Sequence, residues 1–209
     1  MMLNTDFTTL DATTMDTTTA YRLLVGAVVP RPVAWITTRS KAGVVNAAPF
    51  SSYNYVAHSP PMLAVNIGSR EGELKDTARN MLETGEFVVN VATVDTMDLM
   101  HASSAEFPAH VSEVDALGID LLPGQRVAVP RVARSPIQME CRLEHSIPLG
   151  RGLNTLYIGE ILAFHIASFV MDGRYIDSVK LRPIARLGGP LYAELGTLHT
   201  RAQLQKPPQ

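Results

Sequence analysis

Apolar and polar positions alternate with a period of two through much of this chain, the pattern of strands that bury one face. The cleanest run is Ser135 to Ser146: Ile137, Met139, Cys141 and Leu143 share one face, Gln138, Glu140, Arg142 and Glu144 the other. Thr155 to Phe169 reads as its antiparallel partner across a turn at Pro148 to Asn154. Earlier, Val33 to Thr38 and Val44 to Phe50 read as the arms of a hairpin turning at Lys41-Ala42-Gly43. A third strand, Met62 to Ile67, is entered through Ser59-Pro60-Pro61, and Glu86 to Val91 is a fourth type of apolar run with Phe87, Val89 and Val91 on one face. Helical stretches are few and short. Tyr21 to Val29 reads as either a short helix or a loop packed on the core. Lys75 to Thr84 reads as a helix stopped by Gly85, with Asp76 or Glu73 as the cap. Asp95 to Ala105 and Ser112 to Leu117 are two further helices, and Pro123 to Pro130 is loop. The fold class is therefore mainly β with short helices, one barrel-like domain with helical insertions.

Composition narrows the setting. The chain has 209 residues, 46% apolar and 18% charged, with a net charge of −2. That suits one globular domain, placed over residues 17–196. Residues 1–16 are expected to be a disordered or loosely packed arm, and residues 197–209 a tail. No long basic stretch argues for nucleic acid, and no apolar run approaches the roughly 20 residues needed to span a bilayer. A cytoplasmic location is the default expectation, because the N-terminal run is Thr-rich and slightly acidic rather than basic then apolar. The single Cys141 excludes an intramolecular disulfide.

Candidate chemistry concentrates between Pro30 and Asn80. Asn46 to Ser52 is, most plainly, a strand end with turn residues. Chemically, Asn46, Ser51 and Ser52 supply the mixed donors and acceptors that bond the polar edge of a ring. Lys75-Asp76-Thr77 is either a helix start with one solvated lysine or an anion site, because helix N-termini carry free N–H groups and a positive dipole end. Ser69 and Arg70 can reach the same anion. Trp35, the only tryptophan, reads best as a core aromatic, and Arg31 is held beside Pro32.

Other motifs fail. Gly150-Arg151-Gly152 opens like a dinucleotide fingerprint, but it lies in a hairpin loop without a third glycine in place. The six histidines form no metal-ligand spacing, so no metal site is expected. Cys141 lies on the apolar face of its strand, and Glu140 and Glu160 read as solvated or ion-paired strand positions. No catalytic triad is recognisable, so no catalytic residue is assigned.

Taken in order, "RPVAWITT", "NAAPFSSYNYVAHSPPM", "KDTARNMLETGEFVVNVA", "SPIQMECRLEH", "IGEILAFHI" and "RPIARLGGPLY" resemble the flavin reductase-like, FMN-binding split-barrel family that includes flavoredoxin-type proteins. The resemblance covers roughly Ala20 to Tyr192. It implies a Greek-key split β-barrel, a homodimer, and FMN at or near the dimer interface. By that resemblance Arg31, Pro32, Trp35 and Thr37 line the ring side. Asn46, Ala48, Pro49, Phe50, Ser51 and Ser52 follow the isoalloxazine and ribityl. Ser69, Arg70, Lys75, Asp76 and Thr77 hold the phosphate region, and the segment from His101 to Phe107 covers the ring. Many short reductases of the superfamily carry a Gly-Asp-His triplet beside the nicotinamide, whereas this chain reads Gly152-Leu153-Asn154-Thr155-Leu156 there. The resemblance thus points to the flavoredoxin-like branch. Three readings follow: an NAD(P)H:flavin reductase supplying reduced flavin to a partner oxygenase, a flavin electron carrier without its own NAD(P)H site, or an FMN enzyme acting directly on a small organic substrate.

Overall fold

In the computed structural model, which describes residues 6–151 and 154–201, the alternating segments pair into one antiparallel sheet of seven strands. They are β1 (Ala34–Arg39), β2 (Val45–Phe50), β3 (Tyr53–His58), β4 (Pro61–Gly68), β5 (Glu86–Val91), β6 (Ile137–Leu149) and β7 (Asn154–Ile166). The spatial order is β2-β1-β5-β6-β7-β4-β3. The chain is mainly β with short helices, as its pattern requires. The sheet keeps two outer edges, β2 and β3, so it is open rather than a closed barrel. Among the described residues, no helix is long and apolar enough to cross a membrane.

Two large cores and a small cluster of Val88, Val127 and Val129 hold the sheet. On one side Ile36, Leu63, Val65, Phe87, Val89, Met139 and Tyr157 pack with Ala78 and Met81. On the other, Val33, Trp35 and Ala47 pack with Met100, Val114, Ile119 and Ile184. Strand β1 is buried on both faces, which is why its sequence runs apolar without alternating.

Short helices flank the sheet. α1 (Thr17–Ala27) starts before Tyr21, at the Asp16 cap, whose carboxylate accepts from Thr19 N at 2.9 Å. α2 (Asp76–Thr84) carries Ala78 and Met81 into the first core and ends where Gly85 turns left-handed (φ 74°). Its cap is Lys75, not Asp76 or Glu73: Asp76 lies inside the first turn paired with Arg79, and Glu73 bridges by its backbone to Arg70. The expected helix over 95–105 divides into a 3₁₀ turn at Val94–Thr96 and α3 (Met97–Ala102). α4 (Glu113–Leu117) starts on the Ser112 cap. Short pairings then return the chain: Arg31–Pro32 pairs with Ala185–Arg186, which pairs with Tyr192–Ala193.

The polar side of β6 departs from expectation. Glu140 is fully buried, and it is ion-paired rather than solvated. Its carboxylate accepts the backbone N–H groups of Gln125, Arg126 and Val127, lies 2.6 Å from His165 Nε2 and sits 3.7 Å from Arg131 Nε. It pins the 123–130 loop onto the sheet. Next to it, burial pushes the Cys141 thiol up, as expected of an inert core cysteine. The loop position Gly152-Leu153, where the Gly-Asp-His comparison and part of the Gly150-Arg151-Gly152 motif fall, lies outside the described residues.

Gly159 on β7 sits where the β6–β7 register shifts, directly beneath the Phe87 ring. A methyl group there meets Phe87 Cζ at 2.4 Å and the Arg142 carbonyl oxygen at 3.2 Å. Gly159→Ala is therefore expected to lower unfolding free energy by about 1–3 kcal/mol through overpacking. A urea midpoint equal to that of the parent chain contradicts this.

Candidate functional site

Strand β2 is an edge strand, and an exposed edge presents unpaired N–H and C=O groups. Helix α4 covers its first half: Ser112 Oγ donates to Val45 O at 2.7 Å, and Ala47 N donates to Glu113 Oε2 at 3.1 Å. The next outward position is Pro49, which has no N–H to leave unpaired. Beyond α4 this edge is open, and two cavities lie along it.

The first, about 420 Å³, lies between β2, the start of α2 and the 103–109 segment. Asn46, Ala48, Pro49, Phe50, Arg70, Lys75, Asp76 and Thr77 all line it. The α2 N-terminus opens into it with no side-chain cap, so its first amides lack intrahelical partners. Lys75 Nζ lies 5.8 Å from the Phe50 ring centroid and has no carboxylate within ion-pair reach among the described residues. Burial, with Arg70 nearby, holds the Lys75 ammonium below its ordinary pKa, while Glu106 partly offsets this. Arg70 is paired with Glu106 at 3.2 Å, and Arg79 with Asp76. The wall also carries Glu71, Glu73 and Glu113.

Thr77 is buried, and its hydroxyl donates to the Asn46 amide oxygen at 2.9 Å. The Asn46 nitrogen in turn donates to Glu113 Oε1 at 3.1 Å, the orientation that satisfies both ends of the amide. Desolvation raises the Glu113 carboxyl above its usual range, and the charge of Asp76 adds to this, against the pull of the Ala47 N–H. The Thr77 hydroxyl is thus committed, and Thr77 offers a ligand its main-chain N–H. Sequence reasoning missed Glu113; its signal was a carboxylate at the N-terminus of α4, next to the Ser112 cap, facing an edge strand.

The second cavity, about 630 Å³, shares Pro49, Phe50 and Ser104 with the first. Its other walls come from α1, His101 of α3 and the returning 186–192 segment. Arg31 and Ser51 are in it. Arg31 is tied rather than free: its guanidinium donates to Val25 O at 2.7 Å, Val28 O, Leu187 O at 3.1 Å and Ser51 Oγ at 3.5 Å. Its charge faces the cavity while its donors brace the wall. His101 Nδ1 is 3.2 Å from Tyr192 Oη, with their rings edge to face.

The remaining sequence candidates lie elsewhere. Trp35 and Thr37 are fully buried and line neither cavity. Trp35 Nε1 donates to Ser103 Oγ at 2.9 Å, and Thr37 Oγ1 donates to Pro130 O at 2.7 Å. They support the site from behind instead of lining the ring side, because both faces of β1 are packed. Pro32 and Ser52 are exposed, and Ser52 O accepts from Asn66 N at 2.8 Å. Ser69 is half-buried at the end of β4, just before Arg70. The expected covering segment is partly in place: Ser103, Ser104, Ala105 and Phe107 line the smaller cavity.

Comparison with known proteins gives a consistent result. The family model described as "Flavin reductase like domain" matches residues 25–178. An uncharacterised protein of Halalkalibacterium halodurans is 42% identical over 181 residues, 84% of this chain and 87% of that one. Nitrilotriacetate monooxygenase component B from Bacillus cereus superposes with a TM-score of 0.91 at 35% identity, covering 94% of this chain and 99% of that one. The 2-nitrobenzoate 2-nitroreductase of Pseudomonas fluorescens superposes with a TM-score of 0.82 at 31% identity, covering 96% of each.

Proposed function

The chain belongs to the family of flavin reductase like domains, and on that premise we propose that it is an FMN-dependent oxidoreductase of the NAD(P)H:flavin reductase type. The observation that carries this reading is the α2 N-terminus, left without a side-chain cap and opening with Lys75 into a cavity along the β2 edge. That is a donor set for a phosphate monoester. The residues present fit FMN: an anion-binding helix start adjoins an apolar and aromatic wall at Ala48, Pro49 and Phe50.

Lys75 and the amides of Asp76 and Thr77 would hold the phosphate. Ala48, Pro49 and Phe50 would lie along the ring, with Ser51 near its polar edge. Arg31 would place positive charge close to the ring side without breaking its backbone ties. Bound FMN supplies a ring that accepts a hydride. Such transfer needs stacking, exclusion of water and a favourable field rather than a proton-transfer pair, so the work of the chain is to bind and orient. This agrees with a site in which Arg70, Asp76 and Glu113 are already engaged by other groups of the chain. NADH or NADPH as donor, and an oxygenase or electron-transfer partner as acceptor, complete the proposal. The 35% identity to a monooxygenase component supports the second part.

A second reading has its own support: direct reduction of a small organic substrate, favoured by the larger cavity and by the 31% identity to a nitroreductase. Anaerobic mixing of FMN-loaded protein with NADH, then NADPH, separates the readings. Bleaching of the flavin absorbance well above the rate for free FMN is expected. A bound flavin that stays oxidised with both donors overturns the reductase reading, in favour of an electron carrier or a substrate-specific flavoenzyme.

A homodimer belongs to the same proposal. Its support is exposed apolar surface: Tyr21, Leu23 and Leu24 on α1, and Tyr55 and Val56 on the edge strand β3. Sedimentation is expected to give twice the chain mass. A monomer with full flavin affinity contradicts it.

A further inference from the structure

The two cavities differ in charge. The smaller one mixes Arg70, Lys75 and Arg79 with four carboxylates. The larger one has Arg22, Arg31 and Arg186 in its wall and no Asp or Glu. None of these three arginines is ion-paired among the described residues, although six other Lys and Arg side chains are. Three guanidinium charges around one cavity repel one another, and an anion placed between them removes that cost.

The donors are not equivalent. Arg31 has spent its fork on Ser51 and three backbone carbonyls, so it contributes charge alone. Arg186 donates to Gly189 O at 2.7 Å, lies 4.6 Å above the Tyr192 ring centroid, and keeps its other N–H groups. Arg22 makes no hydrogen bond in the described structure and stands exposed on α1. A free guanidinium edge matches a planar carboxylate with two parallel bonds. Tyr21 and Tyr192 supply flat apolar walls beside it, and the shared wall at Phe50 supplies another. A phosphate dianion is less well served. α1 runs along this cavity from Thr18 to Val25, and its N-terminus is already occupied by the Asp16 carboxylate, which accepts from Thr19 N at 2.9 Å and Thr19 Oγ1 at 2.7 Å.

We propose that the larger cavity is a subsite for a small aromatic carboxylate, its carboxylate on Arg186 and Arg22 and its ring between Tyr21 and Tyr192. The proposal deepens the second reading above and rests on the flavin lying in the adjoining cleft, across Pro49 and Phe50. It names the class of substrate that would be presented to that flavin.

Isothermal titration of FMN-loaded protein with benzoate, benzamide and acetate tests it. Benzoate is expected to bind about tenfold more tightly than neutral benzamide, the value of a charge-assisted pair, and more tightly than ringless acetate. Arg186→Gln is expected to bring benzoate to within about twofold of benzamide while leaving FMN affinity unchanged. Arg22→Gln, on an exposed helix face where folding is not at stake, is expected to weaken benzoate several-fold. Equal affinity for benzoate and benzamide, no benzoate binding, or a preference that survives both substitutions overturns the proposal. So does displacement of benzoate by inorganic phosphate or NADPH at equal or lower concentration, which assigns the cavity to phosphate groups. Fluorescence titration of FMN on the same proteins keeps the two readings apart. If FMN does not bind, the flavin reading fails, and benzoate titration of the flavin-free protein still decides the anion site.

Discussion

Replacing Glu140 with alanine is expected to lower unfolding free energy by about 3–5 kcal/mol, the cost of breaking a buried charge network by removing one partner. Three backbone N–H groups of the 125–127 loop, Arg131 and His165 all converge on this one carboxylate. Alanine leaves them buried and unpaired. Glu140→Gln keeps the shape but not the charge, and is expected to recover part of the loss. The same network makes stability depend on pH. Burial alone raises the Glu140 pKa, but the N–H groups of Gln125, Arg126 and Val127 and the His165 ring outweigh it, so the folded value is lowered. A carboxylate with a depressed folded pKa contributes its stability above the unfolded value near 4.5 and loses it as pH falls through the folded one. Urea unfolding of the parent chain should therefore weaken steadily below pH 4.5, and the Glu140→Gln chain should weaken less over that range. Parallel pH profiles for the two chains contradict the assignment.

Lys75→Ala is expected to weaken FMN about 10- to 100-fold and to change riboflavin affinity less than about twofold, since charge-assisted bonds are worth about 1.5–3 kcal/mol and only FMN carries a phosphate. Fluorescence titration with both flavins measures the split. Equal losses remove the phosphate from the α2 N-terminus. Thr77→Ala provides the contrast. Its hydroxyl serves Asn46 rather than the cavity, so its removal should loosen the Asn46–Glu113 contact and affect both flavins alike.

Much of this architecture was legible where one face alone is buried. The alternation in 135–146 marks β6, and Gly85 marks the end of α2. Strand β3 was not legible. Its residues, Tyr-Asn-Tyr-Val-Ala-His, lie on an exposed sheet edge and carry no buried stripe to reveal them. The start of α1 was hidden for a different reason: threonine is a weak helix former, and the run of three after Asp16 masks the capping signal. Glu140 lay on the polar face of a readable strand, yet a period-two pattern cannot show that a loop folds over that face. The site divides in the same way. Lys75 and the Ala48 to Ser51 stretch were readable because a helix start and an edge strand are local features. Glu113, Arg186 and Tyr192 were not, since they reach the cavities only through contacts made far along the chain. Trp35 and Thr37 sit on the same strand segment as readable neighbours but face packed interior.

The bracing of Arg31 to Leu187, across 156 residues, makes the larger cavity depend on a segment synthesised long after the strand beside Arg31. The last strand of the large sheet ends at Ile166, so a nascent chain can complete that sheet while residues 185–193 are still inside the ribosome. At that stage the larger cavity has no far wall and Arg31 has lost one of its anchors. A ligand of the larger cavity therefore meets its complete site only once the final segment has reached Arg31.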